Sequence, residues 1–440
     1  MARKADITVG VDIGTTSVKA VAVDANGRVV GRTRITHRLE ATADRLRHDA
    51  DQAWRRGPRR VLAALGDVNP RAASVTGMVP SMAAVNSRGK PVSDGLLYGD
   101  AEGRPAERHG LPDLVGDAPE FLRALRRIAP DAAGYWPAQT TATVALGGPP
   151  VLAADVAQVL WPLVAGAEWE QSVLDDCGVS VEQVPQIVPN RTPVADVDGM
   201  VLDGGSIDVA CERIVSGVED GDALVICGST LIVMAGLPAG VTPHSSILAY
   251  PDETGRSTAT AASNAGGLFL NWVDRTVAKP RGKVDPDNVP VWVPYIRGER
   301  TPWSDPQRRA ALADVHQGHD AAALRRGAFE SSAFVARHLL ELMNVSPNRI
   351  VAVGGGTQVD DWMQALADCV SAPVDASTEP ETAAIGAAFC ARITAGLETG
   401  LTDASRWARR TRRFEPRPDW ADAVKRRYTR FRDVIDSDPS

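Results

Sequence analysis

Cysteine is scarce. The 440 residues hold five, Cys177, Cys211, Cys227, Cys369 and Cys390, with no C-x-x-C spacing and an odd total. That argues against a disulfide framework or a zinc ribbon and leaves reduced, buried thiols as the expectation. A basic excess is missing as well. Lys and Arg number 48 against 55 Asp and Glu, a formal net charge of −7, so no nucleic-acid partner and no anionic membrane partner are expected, since both need a positive face. Nor is there a long unbroken apolar run. The uncharged stretch from about Ala223 to Tyr250 is interrupted by Gly228, Gly236, Pro238, Gly240 and Pro243 and contains His244, which reads as strands and turns rather than a spanning helix. No apolar leader precedes the first strand in MARKADITVGVDIG, so the expected location is cytoplasmic. Composition is otherwise that of an ordinary globular protein, and the length suits two or three domains.

What the sequence does have is a repeated turn. ITVGVDIGTTSVKAVAVDANGRVV, residues 7–30, reads as three strands joined by two tight turns, the second ending in Asn26-Gly27, a strong hairpin signal. Asp12 stands just before the first turn, where a buried strand would want an apolar residue. DALVICGSTLIVMAG, residues 222–236, has the same form. Residues 11–22 and 225–236 overlay glycine on glycine and hydroxyl on hydroxyl. The identity is weak, but the pattern suggests two similar lobes, each opening on a hairpin with a polar tip. Backbone N–H groups and hydroxyls gathered in such a tip hold phosphate oxygens, and glycine lets the ligand come close. Lys19 would add a point charge. A carboxylate beside bound phosphates, Asp12, would hold Mg2+ directly or through water. Either turn alone also fits an ordinary hairpin. Gly354-Gly355-Gly356, following the apolar strand RIVAV, is a natural place for backbone to pack under a nucleotide.

Other segments read as scaffold. Helices are expected over His48–Leu65, interrupted at Gly57-Pro58, and through Leu324, Ala328, Val335, Leu339 and Met343. Thr378 to Glu381 has capping-box spacing ahead of a small-residue helix. Trp420, Val424, Tyr428 and Phe431 form an apolar stripe on an arginine-rich terminal helix whose arginines are expected in solvent.

Four stretches, VGVDIGTTSVKAVAVD, CGSTLIVMAG, VPYIRGERTPWSDPQRRAAL and AVGGGTQVDDWMQALADCVSAPV with ETAAIGAAFCA, together resemble the FGGY carbohydrate kinases, nearest to xylulokinase-like members. The resemblance runs from about Ile7 to Gly396. It implies an α/β fold of two actin/hexokinase-like (ribonuclease H-like) ATPase lobes around a central cleft, with residues 1–221 as the first lobe and 222–440 as the second, the latter carrying the adenosine motif and the C-terminal helix. It implies ATP and Mg2+ as cofactors and a small sugar as partner. Asp12, Gly14, Thr15, Thr16 and Lys19 match the first phosphate motif, Gly228, Ser229 and Thr230 the second, and Gly354, Gly355 and Gln358 the adenosine motif, with Gly386 and Ala387 in the helix after it. Gly205-Ser206-Ile207-Asp208 matches the family's Gly-x-x-Asp, which makes Asp208 the expected general base, with Asp203 as runner-up; the alternative role for Asp208 is a helix N-cap. Tyr98 and Asp100 match part of the sugar motif, although the arginine that should follow is displaced; the Asp100 carboxylate can accept from two adjacent hydroxyls of a polyol, the alternative being a loop aspartate in solvent. Met78 lies where xylulokinases carry Gln-Met-His-Gly, here Gly-Met-Val-Pro. Arg297, Glu299 and Arg300 are expected to be structural. The implied activity is ATP-dependent phosphorylation of a sugar hydroxyl, a ketopentose such as xylulose first; the alternative is an actin-like ATP-binding scaffold that has lost its sugar. Dimers are common in the family, so a homodimer is an open state with no interface signal in the sequence.

Overall fold

The computed structural model describes the chain except for residues 1–5, 43, 105–116, 252–254, 280–281, 409–410 and 438–440. The chain divides into two compact units. One runs to Gly217 and also contains Glu381–Ala408; the other holds Val218–Pro380 and the C-terminal strand and helix, Thr411–Phe414 and Ala421–Asp436.

In the first unit the sheet order is Ala195–Val197, Met200–Leu202, Ala72–Gly77, Thr8–Ile13, Ser17–Val23, Val29–Thr36. Thr8–Ile13 pairs antiparallel with Ser17–Val23 and parallel with Ala72–Gly77. Every residue of both parallel strands is buried, which is why, Asp12 apart, they read as apolar or small rather than alternating. A second sheet joins Leu39–Ala41, Leu46–His48, Gly95–Leu97, Ser81–Val85 and Gly134–Pro137.

The second unit repeats the plan. Ala223–Cys227 pairs antiparallel with Leu231–Gly236 and parallel with Ile350–Val353. Its core gathers Val225, Leu231, Phe334, Leu339, Trp362, Met363 and Phe431. The weak sequence repeat thus corresponds to a structural one: a hairpin flanked by a parallel strand in each unit. All five cysteines are free and buried.

Four details differ from the sequence reading. The helix Thr382–Thr394, expected with the second lobe, packs within the first unit. A Cβ on Gly10 would stand 1.7 Å from the carbonyl oxygen of Ala384, so the strand is glycine where the helix backbone meets it. The Thr378–Glu381 box does not cap this helix; Glu381 occupies the cap position without a side-chain bond. Gly57-Pro58 causes no break: the π-helical segment Asp51–Arg56 runs directly into Gly57–Ala64, with proline in the first turn, where its missing N–H costs nothing. Finally, Arg427 of the terminal helix is buried rather than solvated.

Candidate active site

Strand register in the first unit sets the site. Ile13 lies beside Gly77, and Gly77 beside Ile207 of the short strand Ser206–Ile207. The three strands are parallel here, so the next residues, Gly14, Met78 and Asp208, leave the sheet at one edge. With strands spaced about 4.8 Å apart, Ile13 and Ile207 are separated by roughly 10 Å.

Asp12 and Lys19 are cross-strand partners, and the Lys19 ammonium lies 3.3 Å from an Asp12 carboxylate oxygen. The Asp12 charge raises the Lys19 pKa against the effect of burial. Lys19 is therefore an ion-pair partner at the base of the tip as well as a candidate phosphate ligand. Thr15 donates its hydroxyl to the Met78 sulfur at 3.2 Å, and Thr16 is exposed. Neither the Thr15 nor the Thr16 N–H makes a hydrogen bond to the described residues. The tip offers two backbone donors.

Asp208 is the first residue of the helix Asp208–Ile214; Ile207 holds the cap position. One Asp208 oxygen accepts from the Val209 N–H at 2.8 Å. Burial, and then the Asp12 charge, push its carboxyl up to about 7. One turn on, Glu212 is pushed well above the ordinary carboxylate range by burial, then by Asp208 and Asp12. Sequence reading passed over Glu212. The available signal was the i, i+4 spacing from Asp208, which puts both on one face of a helix.

Asp203 is occupied otherwise. It is 2% exposed, and its oxygens accept from the Ser74 hydroxyl at 2.9 Å, the Gly205 N–H at 3.0 Å and the Thr394 hydroxyl at 2.9 Å. Asp100 is likewise engaged. It is fully buried; one oxygen accepts from Leu46 N–H and Arg47 Nε, both at 2.9 Å, the other from Arg47 Nη2 at 3.2 Å and Glu102 N–H at 3.0 Å. Two carboxylate oxygens have about four acceptor positions, and all are filled. The expected sugar-ligand role of Asp100 therefore lacks a free acceptor, and the aspartate is not in solvent either. Tyr98 beside it is buried.

In the second unit the tip Gly228-Ser229-Thr230 leaves the Ser229 and Thr230 N–H groups without hydrogen bonds to described residues. Gly354 has φ +91°, and a Cβ there would be 3.0 Å from the Cys227 carbonyl oxygen; only glycine combines that backbone with that approach. The Gly354–Gln358 turn therefore lies against the residue preceding the second tip. Gly355 is exposed and faces open space, while the Gln358 amide donates to the Thr357 hydroxyl at 3.1 Å. In the segment around Glu299, the carboxylate is buried and accepts from the Ser263 hydroxyl at 2.7 Å and the Asn264 N–H at 3.2 Å.

Residues 223–395 match the model of the FGGY family of carbohydrate kinases, C-terminal domain. Xylulose kinase of Escherichia coli is 23% identical over 90% of this chain and 91% of its own length. The chain is thus similar to the FGGY carbohydrate kinases, most directly through residues 223–395. Members are phosphotransferases that act on sugar hydroxyls. A glycerol kinase of Allorhizobium ampelinum is 37% identical to this chain, though the match spans only 33% of either protein. Among solved structures, ligand-bound xylulose kinase from Lactobacillus acidophilus superimposes with a TM-score of 0.80 at 18% identity, covering 98% of each chain. The fold is thus the α/β, actin/hexokinase-like fold of the sugar kinases. Among the described residues no helix is long and apolar enough to cross a membrane.

Gly386, expected near the nucleotide, is buried in the first unit, where a Cβ would stand 2.0 Å from the Cys211 carbonyl oxygen; it is a helix–helix contact. Asp203→Ala is expected to lower Tm, because the buried Ser74 hydroxyl and Gly205 N–H lose their acceptor, at about 1–3 kcal/mol. Turnover of the folded protein should stay within about tenfold of wild type, as for a residue acting through scaffold alone. A loss of the size argued below for Asp208 would return Asp203 to the chemistry.

Proposed function

We propose that the protein transfers the γ-phosphoryl group of ATP to a hydroxyl of a small sugar or polyol, a ketopentose such as xylulose first, with Asp208 as general base. One observation carries this reading: Asp208, with its carboxyl held near pH 7, leaves the sheet at the same edge as the Gly14-Thr15-Thr16 tip. A base works best with a pKa near the operating pH.

Phosphoryl transfer needs alignment and charge neutralisation more than covalent help. The Thr15 and Thr16 N–H groups and the Thr16 hydroxyl are donors for phosphate oxygens in the first tip, and Ser229 and Thr230 supply the equivalent groups in the second. The open face at Gly355 suits a flat nucleotide base. As the acceptor oxygen bonds to the γ-phosphorus, its proton passes to the Asp208 carboxylate. The bond from that phosphorus to the bridging oxygen breaks, and ADP leaves.

Among the described residues no three His, Cys, Asp or Glu side chains converge as a metal-binding group. Mg2+ in kinases needs less, one or two carboxylates with phosphate oxygens and water. Asp12 is the carboxylate that fits, and the ion would neutralise charge on the transferring group.

The sugar is the open part. Both xylulose and glycerol kinases are among the relatives, and Asp100 has no acceptor to spare. A panel of ketoses, aldoses and polyols, scored by thermal shift and ADP release, tests the reading. The substrate should raise Tm, since saturation at about 100 times Kd adds about 2.7 kcal/mol, and should drive ADP production. ATP binding with no ADP release for any acceptor would overturn the kinase reading.

A further inference from the structure

The two hairpin tips are held from behind by different chemistry acting on the same atoms. In the second unit the carbonyl oxygens of Gly228 and Ser229 accept from the N–H groups of Gly267 at 2.8 Å and Leu268 at 2.9 Å. Those donors are the first two residues of the helix Gly267–Thr276, whose leading N–H groups have no partner within the helix. In the first unit the equivalent carbonyls belong to Gly14 and Thr15. Among the described residues no helix start donates to them. His37 Nε2 lies 3.0 Å from the Gly14 oxygen, nearer than its Nδ1 to the Arg38 oxygen at 3.3 Å, which places the one proton of the neutral ring on Nε2; His48 Nε2 lies 2.8 Å from the Thr15 oxygen.

The orientation of these carbonyls decides what the tip presents. Across a trans peptide, the C=O and the N–H of the next residue point in opposite directions. The cis bonds among the described residues are all X-Pro and lie elsewhere. A Gly14 carbonyl pulled back by His37 therefore turns the Thr15 N–H outward, and a Thr15 carbonyl pulled back by His48 does the same for Thr16. Those are the two N–H groups that make no hydrogen bond to the described residues. The Gly228 and Ser229 carbonyls treat Ser229 and Thr230 in the same way.

The proton positions in His48 follow from its neighbour. Trp54 Nε1, which can only donate, lies 2.9 Å from His48 Nδ1. That nitrogen must accept, so the ring proton sits on Nε2 and donates to Thr15. Burial keeps the ring neutral, with its pKa pushed down to about 3. His37 packs edge-on against His48, with ring centroids 4.3 Å apart, and its backbone N–H also donates to the Thr16 carbonyl at 3.2 Å.

We infer that His37 and His48 are positioning residues for the first phosphate turn: they aim the Thr15 and Thr16 N–H groups at a nucleotide phosphate, as the start of the helix Gly267–Thr276 aims those of Ser229 and Thr230. This rests on the phosphate-turn reading of the proposed function. Neither histidine touches the reacting atoms, so the effect falls on nucleotide affinity and not on acceptor recognition.

The test titrates wild type, His37→Leu, His37→Gln and Trp54→Phe with MgADP by calorimetry, with Tm measured alongside. His37→Leu should weaken binding about 3- to 10-fold, the worth of one hydrogen bond, and raise KM for ATP with KM for the acceptor unchanged. His37→Gln, which restores an N–H donor, should recover most of the loss; a purely space-filling role would not distinguish Gln from Leu. Trp54→Phe removes the N–H that fixes the His48 proton together with part of the ring packed against Gly95, a packing loss that the parallel Tm reports, so it supplies an independent comparison if His37→Leu is too unstable to titrate. Wild-type binding matched by both His37→Leu and Trp54→Phe would overturn the inference alone. Absence of MgADP binding by wild type would overturn the phosphate-turn reading, and this inference with it.

Discussion

Asp208→Asn should reduce kcat by about 10²- to 10⁴-fold, the usual worth of a general base, while MgADP affinity changes by less than about twofold, because the lost interaction exists only in the transition state. The amide keeps the shape and still accepts from the Val209 N–H, but it cannot take a proton from the acceptor. The pH dependence has a definite sign. A base must be ionised to act, so kcat/KM of wild type should rise tenfold per pH unit below about 7 and level off above it, following the pKa to which burial and Asp12 raise the carboxyl. The limb should vanish from the residual activity of the Asn variant. Stability moves the opposite way. A carboxyl whose native pKa lies above its unfolded value favours the fold when protonated, and that contribution is lost as pH rises from the ordinary carboxylate range through about 7. Asp208→Asn removes a disfavoured ion, so Tm above pH 7 should not fall and is expected to rise. Lost activity with raised Tm would separate chemistry from unfolding; a pH-independent wild type, or an Asn variant that turns over normally, would remove Asp208 from the mechanism.

The largest stability effect is expected in the second unit. Glu330 is 1% exposed and lies between two guanidinium groups. It accepts from Arg326 Nε at 2.8 Å and from Arg427 Nε and Nη2 at 2.7 and 2.8 Å. Arg326 also donates to Asp368 at 2.8 Å, and Arg417 closes on the same carboxylate at 2.6 Å. Glu330→Ala would leave Arg427 buried without its carboxylate. Breaking a buried pair from one side costs about 3–5 kcal/mol, which for a unit of this size lowers Tm by roughly 10 °C. Replacing both partners, Glu330→Leu with Arg427→Leu, should cost less than Glu330→Ala, because no uncompensated charge remains and Arg326 keeps Asp368. Thermal unfolding of the three proteins checks this, and a double variant less stable than Glu330→Ala would refute it.

The arginine network also marks where pattern reading stops. Trp420, Val424, Tyr428 and Phe431 were legible as a helical stripe, and all four are buried. Arg427 sits just outside that stripe, and hydropathy assigns any such arginine to solvent. Its partner, Glu330, lies 97 residues away. Glu212 was missed for a related reason: a lone glutamate on a short helix looks solvated until Asp12 and Asp208 are known to be near. The helix Thr382–Thr394 read correctly as a small-residue helix, and those small residues meet Gly10 and Cys211 of the first unit.

The sequence by itself determined the two polar-tipped hairpins and the glycine turn after RIVAV, since turn chemistry and strand pattern are local; Asp208 is reached only through the resemblance of Gly205-Ser206-Ile207-Asp208 to a family motif. Tertiary structure alone decided the work of the other two aspartates. Asp203 is held by Ser74 and Thr394, 129 and 191 residues distant, and Asp100 by Arg47, 53 residues distant. A carboxylate carries the same lone pairs in every sequence, and whether they remain available to a ligand depends on which remote donors the fold brings to them.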